Sequence, residues 1–556
     1  METIPHWVKD YPNGTPVHVD PTRYQSINQM FDNACQKFAI LPAFTNMGQT
    51  LSYGELDRLS GAFAAFLQSL PGMAPGERIA LMMPNLLQYP VAIFGALRAG
   101  LVVVNVNPLY TERELEHQLK DSGARAILVL ENFASKVQNV RAASGLQHVM
   151  VTQVGDMLSP PKRLLTNLAV KHVKKMVPPW KMDDALQFRD ALAAGKKIPR
   201  TAVKLNLDSI AFLQYTGGTT GVSKGVILTH SNIVSNVLQC GSWIGETLRE
   251  GEEIVLTPLP LYHVFSLVAN CLTFMTLGGL NVLITNPKDL PAFVQTMKTY
   301  PWTVMTGVNT LYNALANTPG FGPDCARAAK LSIGAGAAML RPVMERWTQL
   351  TKAPLIEGYG LSESTAGVCI NPPGRPRLGL VGIPLPSTEV RIQAEDGSTC
   401  PAGEAGEIEV RGPQVMRGYW GRPAETAEAL SREGWLKTGD IGTMDADGWV
   451  AITDRKKDMI IVSGFNVYPA EIEAVVSTHP GVLEAAAIGM GDTRSGEAVK
   501  LFVVRKDPNL TTQDLLAHCE SNLTRYKIPK LIEFRDELPK TPVGKILRRA
   551  LREETV

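Results

Sequence analysis

The sequence predicts an α/β protein with a large N-terminal part and a small α+β C-terminal domain, and three observations carry that prediction. Through the long N-terminal part, helical periodicity alternates with short, continuously apolar runs. That is the pattern of β-α-β units whose parallel sheets are covered on both faces. From about Pro384 the texture changes to short strands and turns rich in Gly, Asp and Glu (AEDGSTCPAGEAGEIEVRG), which suggests a smaller β-rich subdomain. Beyond the charged cluster DRKKD at 454–458 a compact α+β pattern follows, so a boundary is placed near Asp454. A chain of 556 residues exceeds what one core supports, in agreement with two or more domains. The expected division is 1–453, with its β-rich part at about 384–453, and 459–556.

Taken in order, residues 51–70 (LSYGELDRLSGAFAAFLQSL) carry helical periodicity and precede the apolar strand 78–84. A second helix at 89–99 leads into the strand 101–106 (LVVVNV). Residues 111–122 (TERELEHQLKDS) read as a capped helix and 126–130 (AILVL) as the next strand. Apolar strands are also expected at 209–215 and 225–229. The uncharged stretch 265–285 is long enough to span a bilayer. However, Asn270, Asn281 and the pair Gly278 and Gly279 point instead to a buried helix, a glycine turn and a buried strand at 280–285. No spanning segment is expected. In the C-terminal domain the pattern gives a helix at 470–477, strands at 483–488 and 499–504, a helix at 512–523 and a strand at 530–534.

Composition narrows the function classes. Hydrophobic residues make up 45% and charged residues 19%, an ordinary globular balance. A net charge of +2 supplies no field toward nucleic acid, and no nucleic-acid partner is expected. The seven cysteines contain no C-x-x-C pair, which points to reduced thiols in a cytoplasm rather than to disulfides or zinc. The start METIPHW lacks a basic region followed by an apolar core, so it does not read as a signal peptide.

The chemistry concentrates in the loop YTGGTTGVSKG at 215–225, set between two buried strands. Gly217, Gly218 and Gly221 let backbone N–H groups converge on an anion, and Thr216, Thr219 and Thr220 add hydroxyl donors. Lys224 supplies a full charge for phosphate. No Gly-Lys dipeptide stands at Walker A spacing. GVSKG matches the hydrolase elbow in letters, but Ser223 lies eight residues beyond the strand's end. GAGAAM at 334–339 lacks the last glycine of the dinucleotide fingerprint. The bland alternative for 215–225 is a flexible surface loop.

At this loop the sequence resembles the adenylate-forming superfamily of acyl-CoA synthetases, firefly-type luciferases and peptide-synthetase adenylation domains. The resemblance extends over nearly the whole chain. YGLSE at 359–363, TGD at 438–440, DR at 454–455, GFN at 464–466 and PVGK at 542–545 match further motifs in the right order. GWLKTGDIG at 434–442, followed by DRKKD, resembles the fatty acyl-CoA synthetase signature of bacterial long-chain fatty acid–CoA ligases.

That resemblance implies activation of a long-chain fatty acid by ATP to its acyl-AMP, then thioester formation with coenzyme A, releasing AMP and pyrophosphate. It also implies a mobile C-terminal domain with a hinge at 454–458, Lys457 at the hinge position. Thr216, Glu363, His263 and Lys545 are the implied catalytic set, with Glu363 the ligand for Mg²⁺. Tyr359 is expected to stack on adenine, with Gly336, Ala337 and Ala338 on the other side of the base and Gly360 and Ser362 in the adjoining loop. Asp440 is expected to take the ribose hydroxyls with Arg455 as a second contact, a chemically apt pairing of carboxylate and diol. Lys545 would bridge the substrate carboxylate and the α-phosphate, then withdraw as Gly464, Phe465 and Asn466 bring in the thiol. His263, Phe265 and Leu267 are placed at the acyl site, where some long-chain relatives carry a tryptophan gate at the position of Leu267.

Other acids and acceptors stay open at this point: a medium-chain or aryl carboxylate, or a carrier-protein thiol. So does a fatty-acid uptake or binding protein without turnover, although Lys545, Glu363 and Asp440 together argue against lost catalysis. The expected partners are fatty acid, ATP and CoA, with a homodimer and a peripheral contact on an anionic membrane from a cytoplasmic protein. The membrane expectation rests on residues 160–181. They carry Lys162, Arg163, Lys171, Lys174, Lys175 and Lys181 among Leu164, Leu165, Leu168, Val173, Met176 and Trp180. The competing reading is a solvated helix that packs its apolar stripe on its own domain.

Overall fold

The computed structural model describes residues 5–216, 223–492 and 494–554. Among them the chain forms four sheets. The eight-stranded sheet has Arg78–Met82, Val102–Asn105, Ala126–Leu130 and His148–Thr152 parallel at its centre. Ile210–Thr216 joins it in parallel and turns back as Lys224–Thr229 in an antiparallel hairpin. The nine-stranded sheet is parallel through Leu355–Tyr359, Leu331–Ala335, Val304–Gly307, Ile254–Thr257 and Leu280–Leu283.

Helices Ile27–Lys37, Tyr53–Ser69, Gln88–Arg98 and His230–Ile244 fill the layer between these sheets. Their apolar faces share one core with Ile79 and Leu81 of the first sheet and Phe44 and Leu283 of the second. Gln88–Arg98 is buried along its whole length. Its buried Arg98 is paired with Asp57 and Asp32, at 2.6 and 3.0 Å.

The expected helix at 51–70 starts later than its periodicity suggests. Leu51 belongs to strand Gln49–Ser52, and the helix runs Tyr53–Ser69. Ser52 and Glu55 form a reciprocal capping box, at 3.1 Å and 2.9 Å, and that pair of satisfied donors fixes the start. The uncharged stretch resolves into helical turns at Val264–Ser266, Leu267–Leu272 and Thr273–Thr276, a turn with Gly278 at φ +69°, and strand Leu280–Leu283. Among the described residues no helix is long and apolar enough to cross a membrane.

Two smaller units follow. Glu389–Gln393, Gly406–Arg411, Leu436–Met444 and Val450–Arg455 make a four-stranded antiparallel sheet. The last sheet pairs Val482–Asp492 with Gly496–Arg505, extended by Leu531–Arg535, under helices Pro469–Val476 and Thr512–Asn522.

In the basic segment, helix Pro160–Leu168 continues into the turn Ala169–Val173. Leu164, Leu165, Leu168, Val173 and Met176 are 47–79% exposed, so this stripe does not pack on its own domain. Trp180 does the opposite and leans on the core beneath the first sheet.

Candidate active site

Strands Leu331–Ala335 and Leu355–Tyr359 run side by side, with Ala335 opposite Gly358, and both end at the same edge. Carboxyl ends of parallel strands are where open α/β sheets receive ligands. Gly336, Ala337 and Ala338 are exposed in the turn beyond the first strand. Gly336 has φ +82°, and a Cβ there would stand 2.9 Å from Cε of Lys545. The turn therefore carries glycine where another chain segment lies on it.

That segment comes from the C-terminal domain. Gly544, at φ +84°, closes a turn in which the Gly544 amide donates to the Thr541 carbonyl at 2.8 Å and the Lys545 amide to the Thr541 hydroxyl at 3.1 Å. The Thr310 hydroxyl, on helix Asn309–Ala316, donates to the Gly544 carbonyl at 2.7 Å and fastens the turn to the large domain. Burial, then the Arg455 guanidinium, pull the Lys545 ammonium down to about 8, with Asp440 partly opposing them. His263 caps the short helix Val264–Ser266, its Nδ1 accepting from the Phe265 amide at 3.3 Å. Burial and the nearby Lys545 charge push its imidazole down to about 3, so it is neutral. Phe265 is partly exposed, while Leu267 is wholly buried in the main core.

Asp440 is 3% exposed and satisfied on both oxygens. The Tyr359 hydroxyl donates to it at 2.7 Å, and Arg455, its partner across the ladder, lies at 3.0 Å. The Tyr359 ring itself packs with Val368 and Cys369. Gly360 is obligatory, since a Cβ would overlap the Ala366 carbonyl oxygen at 1.4 Å. The loop then makes the turn Ser362–Ser364, which presents Glu363.

The hairpin Ile210–Thr216 and Lys224–Thr229 closes the site's other side. Thr216 faces Lys224 across its end. Gly217, Gly218, Thr219, Thr220 and Gly221 of the expected phosphate loop lie outside the described residues. The hairpin is braced from below: the Tyr215 hydroxyl donates to Asp121 at 2.7 Å, and Arg422 donates to the other Asp121 oxygen at 2.8 Å. Gly225 leaves room for the Tyr215 ring, whose atoms a Cβ there would meet at 3.0 Å.

The sequence reading missed Tyr419 and Glu357. The Tyr419 hydroxyl donates to Glu363 at 2.9 Å, and the Lys224 ammonium lies 5.2 Å from the centre of its ring. Glu357 is buried and accepts the Met339 amide at 2.9 Å, beneath the turn that carries Gly336. Burial pushes its carboxyl up to about 8. No spacing rule marks a lone tyrosine or a glutamate within a buried strand; only the fold brings them here. Among the described residues no group of three or more His, Cys, Asp or Glu could hold a metal ion by itself. A lone Glu363 carboxylate suits Mg²⁺, which is commonly held by one or two carboxylates together with substrate phosphates.

Gly464 lies in the exposed turn between Ile460–Val462 and Phe465–Val467, and Phe465 and Asn466 are exposed at the start of the second strand. Ser463 and Gly464 have φ of +52° and +84°, and Phe465 stacks on Tyr526 at 4.7 Å. Lys457 is exposed just beyond strand Val450–Arg455. Around it, Arg548 joins Glu473 at 2.6 Å, Asp454 at 3.2 Å and Asp458 at 3.3 Å, and Arg552 joins Asp458 at 2.6 Å.

The site thus stands at the ends of parallel strands and is met there by a lysine from the C-terminal domain. The chain belongs to the AMP-binding enzyme family: residues 31–420 match the AMP-binding enzyme model and 471–545 match the AMP-binding enzyme C-terminal domain. It is 52% identical over 549 residues to a long-chain-fatty-acid–CoA ligase of Escherichia coli O6:H1, covering 99% of this chain and 98% of that protein. It is also 52% identical over 557 residues to the long-chain-fatty-acid–CoA ligase of Yersinia pestis, covering 100% and 99%. Among solved structures, ATP-bound MatB from Rhodopseudomonas palustris superposes with a TM-score of 0.82 at 28% identity, covering 95% of this chain and 99% of that one.

Proposed function

We propose that the chain activates long-chain fatty acids in two steps. The acid's carboxylate attacks the α-phosphate of ATP and pyrophosphate leaves. The thiol of coenzyme A then takes the acyl group from acyl-AMP, and AMP is released. The observation that carries the reading is the Lys545 side chain laid over Gly336, with Arg455 and Asp440 acting on its charge.

Attack of one anion on another needs neutralised charge and a fixed line of approach. Lys545 bridges carboxylate and α-phosphate, while Thr216 and Lys224 meet the phosphates as the hairpin ends. Asp440 and Arg455 receive the ribose, and Tyr359 with Gly336, Ala337 and Ala338 flank adenine. Glu363, beside Ser362, would hold Mg²⁺ with the phosphates; when bound, the ion offsets their charge. The neutral His263 sits beside the acyl carboxylate without adding a second cation, and Phe265 and Leu267 lie behind it.

The second step requires Lys545 to leave and a thiol to enter. Rotation about Lys457 exchanges Lys545 for Gly464, Phe465 and Asn466, an exposed stretch whose glycine gives pantetheine a path close to backbone. The same reading includes a homodimer, and a cytoplasmic enzyme, its cysteines all free, that makes peripheral contact with the bilayer in which its substrate dissolves. The test is AMP release from ATP and CoA across acids from acetate to stearate and a set of aromatic acids. Preference for the longest acids is expected; turnover confined to aromatic acids, or none, overturns the assignment.

A further inference from the structure

A surface helix ordinarily turns its apolar stripe toward the core and its polar residues to water. Pro160–Leu168 and the turn after it do the reverse. Pro161, Leu164, Leu165 and Leu168 follow the spacing of one helix face, and all are exposed. Leu164 and Leu165 stand at 61% and 68%, and Val173 reaches 79%.

The inward side is held by polar groups instead. Asn167 donates to Gln153 at 2.8 Å and accepts the Gly155 amide at 2.8 Å. Gln153 donates to the buried Glu131 at 2.7 Å, and Lys171 reaches the other Glu131 oxygen at 2.9 Å. The Asn132 amide donates to the Met176 carbonyl at 3.0 Å. Lys171 is thus a fastener rather than a free surface cation. Lys162, Lys174 and Lys175 enter no ion pair among the described residues, and 160–176 contains no acid.

A second element adds to this surface. The hairpin between Pro42–Asn46 and Gln49–Ser52 turns through Met47 and Gly48, at φ +50° and +75°. Such a turn favours Asn or Gly at both positions, because a side chain with φ above zero is strained. Here a methionine occupies the first position and is 48% exposed. A Cβ on Gly48 would stand 3.3 Å from the Lys162 ammonium, so hairpin tip and helix adjoin.

We infer that Met47, Leu164, Leu165 and Leu168, flanked by Lys162, Lys174 and Lys175, form a docking surface for an anionic lipid bilayer. The leucines enter the boundary between headgroups and acyl chains while the lysines face lipid phosphates. A second copy of the chain is a poor occupant, since two such acid-free faces repel. The inference rests on the proposed use of a membrane-soluble acid, but its test does not depend on turnover.

The full chain is sedimented with vesicles of phosphatidylethanolamine and phosphatidylglycerol, and with vesicles of phosphatidylcholine alone. Each exposed cation contributes about fivefold to partition on an anionic surface. Replacing Lys162, Lys174 and Lys175 by Glu is therefore expected to lower partition on anionic vesicles more than tenfold and to leave the neutral vesicles nearly unaffected. Leu164→Ser, Leu165→Ser and Leu168→Ser together are expected to lower it at least tenfold on anionic vesicles. Met47→Asn relieves backbone strain, so it is expected to raise Tm while weakening partition severalfold. Circular dichroism and acyl-CoA formation with a water-soluble short acid are expected to stay within twofold of the parent for all three. Partition unchanged in the serine and glutamate variants overturns the inference. So does a parent oligomer, seen by light scattering, that the serine variant dissolves. Vesicle binding that responds to these variants in a chain that activates no acid keeps the docking surface and rejects the proposed reaction.

Discussion

The hydroxyl of Tyr419 donates a 2.9 Å hydrogen bond to the carboxylate of Glu363, while the Lys224 ammonium lies 5.2 Å from the centre of the same ring. The two residues are 56 positions apart in sequence. Tyr419 pairs with Val226 at the edge of the eight-stranded sheet, and Glu363 stands on the turn beyond the nine-stranded one. One ring thus joins the hairpin that carries Lys224 to the candidate Mg²⁺ ligand. Tyr419→Phe keeps the ring and removes the donor, so Glu363 loses its orientation but Lys224 keeps its neighbour. A hydrogen bond to a charged group is worth about 1.5–3 kcal/mol. Pyrophosphate exchange is expected to fall by roughly tenfold to a hundredfold, with half-saturation shifted to higher Mg²⁺. An unchanged Mg²⁺ titration counts against the role.

Lys545→Ala is expected to lower pyrophosphate exchange by about a hundredfold or more, while CoA transfer from supplied acyl-AMP continues near the parent rate. Equal loss in both steps would show a structural role instead.

In the proposed adenylation step the protonated form of Lys545 is the one that meets the phosphates. Because burial and Arg455 bring its ammonium down to about 8, kcat/KM for adenylation is expected to hold below that pH and fall as pH rises through it. The profile of kcat/KM against pH measures this directly, and Lys545→Arg should move the alkaline limb upward.

Glu357 carries a stability signature. Its folded carboxyl titrates near 8 against an ordinary 4.5, so the unfolded chain releases this proton first as pH rises. The stability it supports is therefore full below about pH 4.5 and is lost progressively as pH climbs toward 8. Glu357→Gln keeps an acceptor for the Met339 amide and cannot ionise. Its Tm is expected to match the parent's near pH 5 and to exceed it by several degrees, to order of magnitude, at pH 8. A constant difference across that range would reject the assignment.

Arg548 holds Asp454, Asp458 and Glu473 together, and all three carboxylates are largely buried. Arg548→Ala leaves buried charge unpaired, and such losses amount to about 3–5 kcal/mol. Urea unfolding followed by a probe in the small domain is expected to show an early transition, with the large-domain transition little moved.

Much of this protein was legible in the chain alone. The alternation of apolar runs and helical periodicity gave the parallel sheets, because residues buried on both faces leave no polar positions to confuse the pattern. The resemblance pointed to a family that the whole-chain comparisons bear out. Local rules erred where a short-range contact outweighed periodicity, as at Ser52 and Glu55, whose capping box begins the helix two residues after Leu51. Periodicity also finds an amphipathic stripe without saying which way it faces. Residues 160–181 read equally as a packed helix or an exposed one. Only the polar contacts of Asn167 and Lys171 beneath them turned the leucines outward.

The sequence by itself determined the fold class and the family, because these depend on burial patterns and on short motifs whose spacing is local. The tertiary structure alone decided that Tyr419 orients Glu363, that Glu357 is buried beneath the Gly336 turn, and that Lys545 reaches that turn with its charge weakened. Each is a relationship between side chains far apart along the chain. A hydrogen bond or a desolvated charge depends on distances of a few ångströms, and only the packed fold sets those.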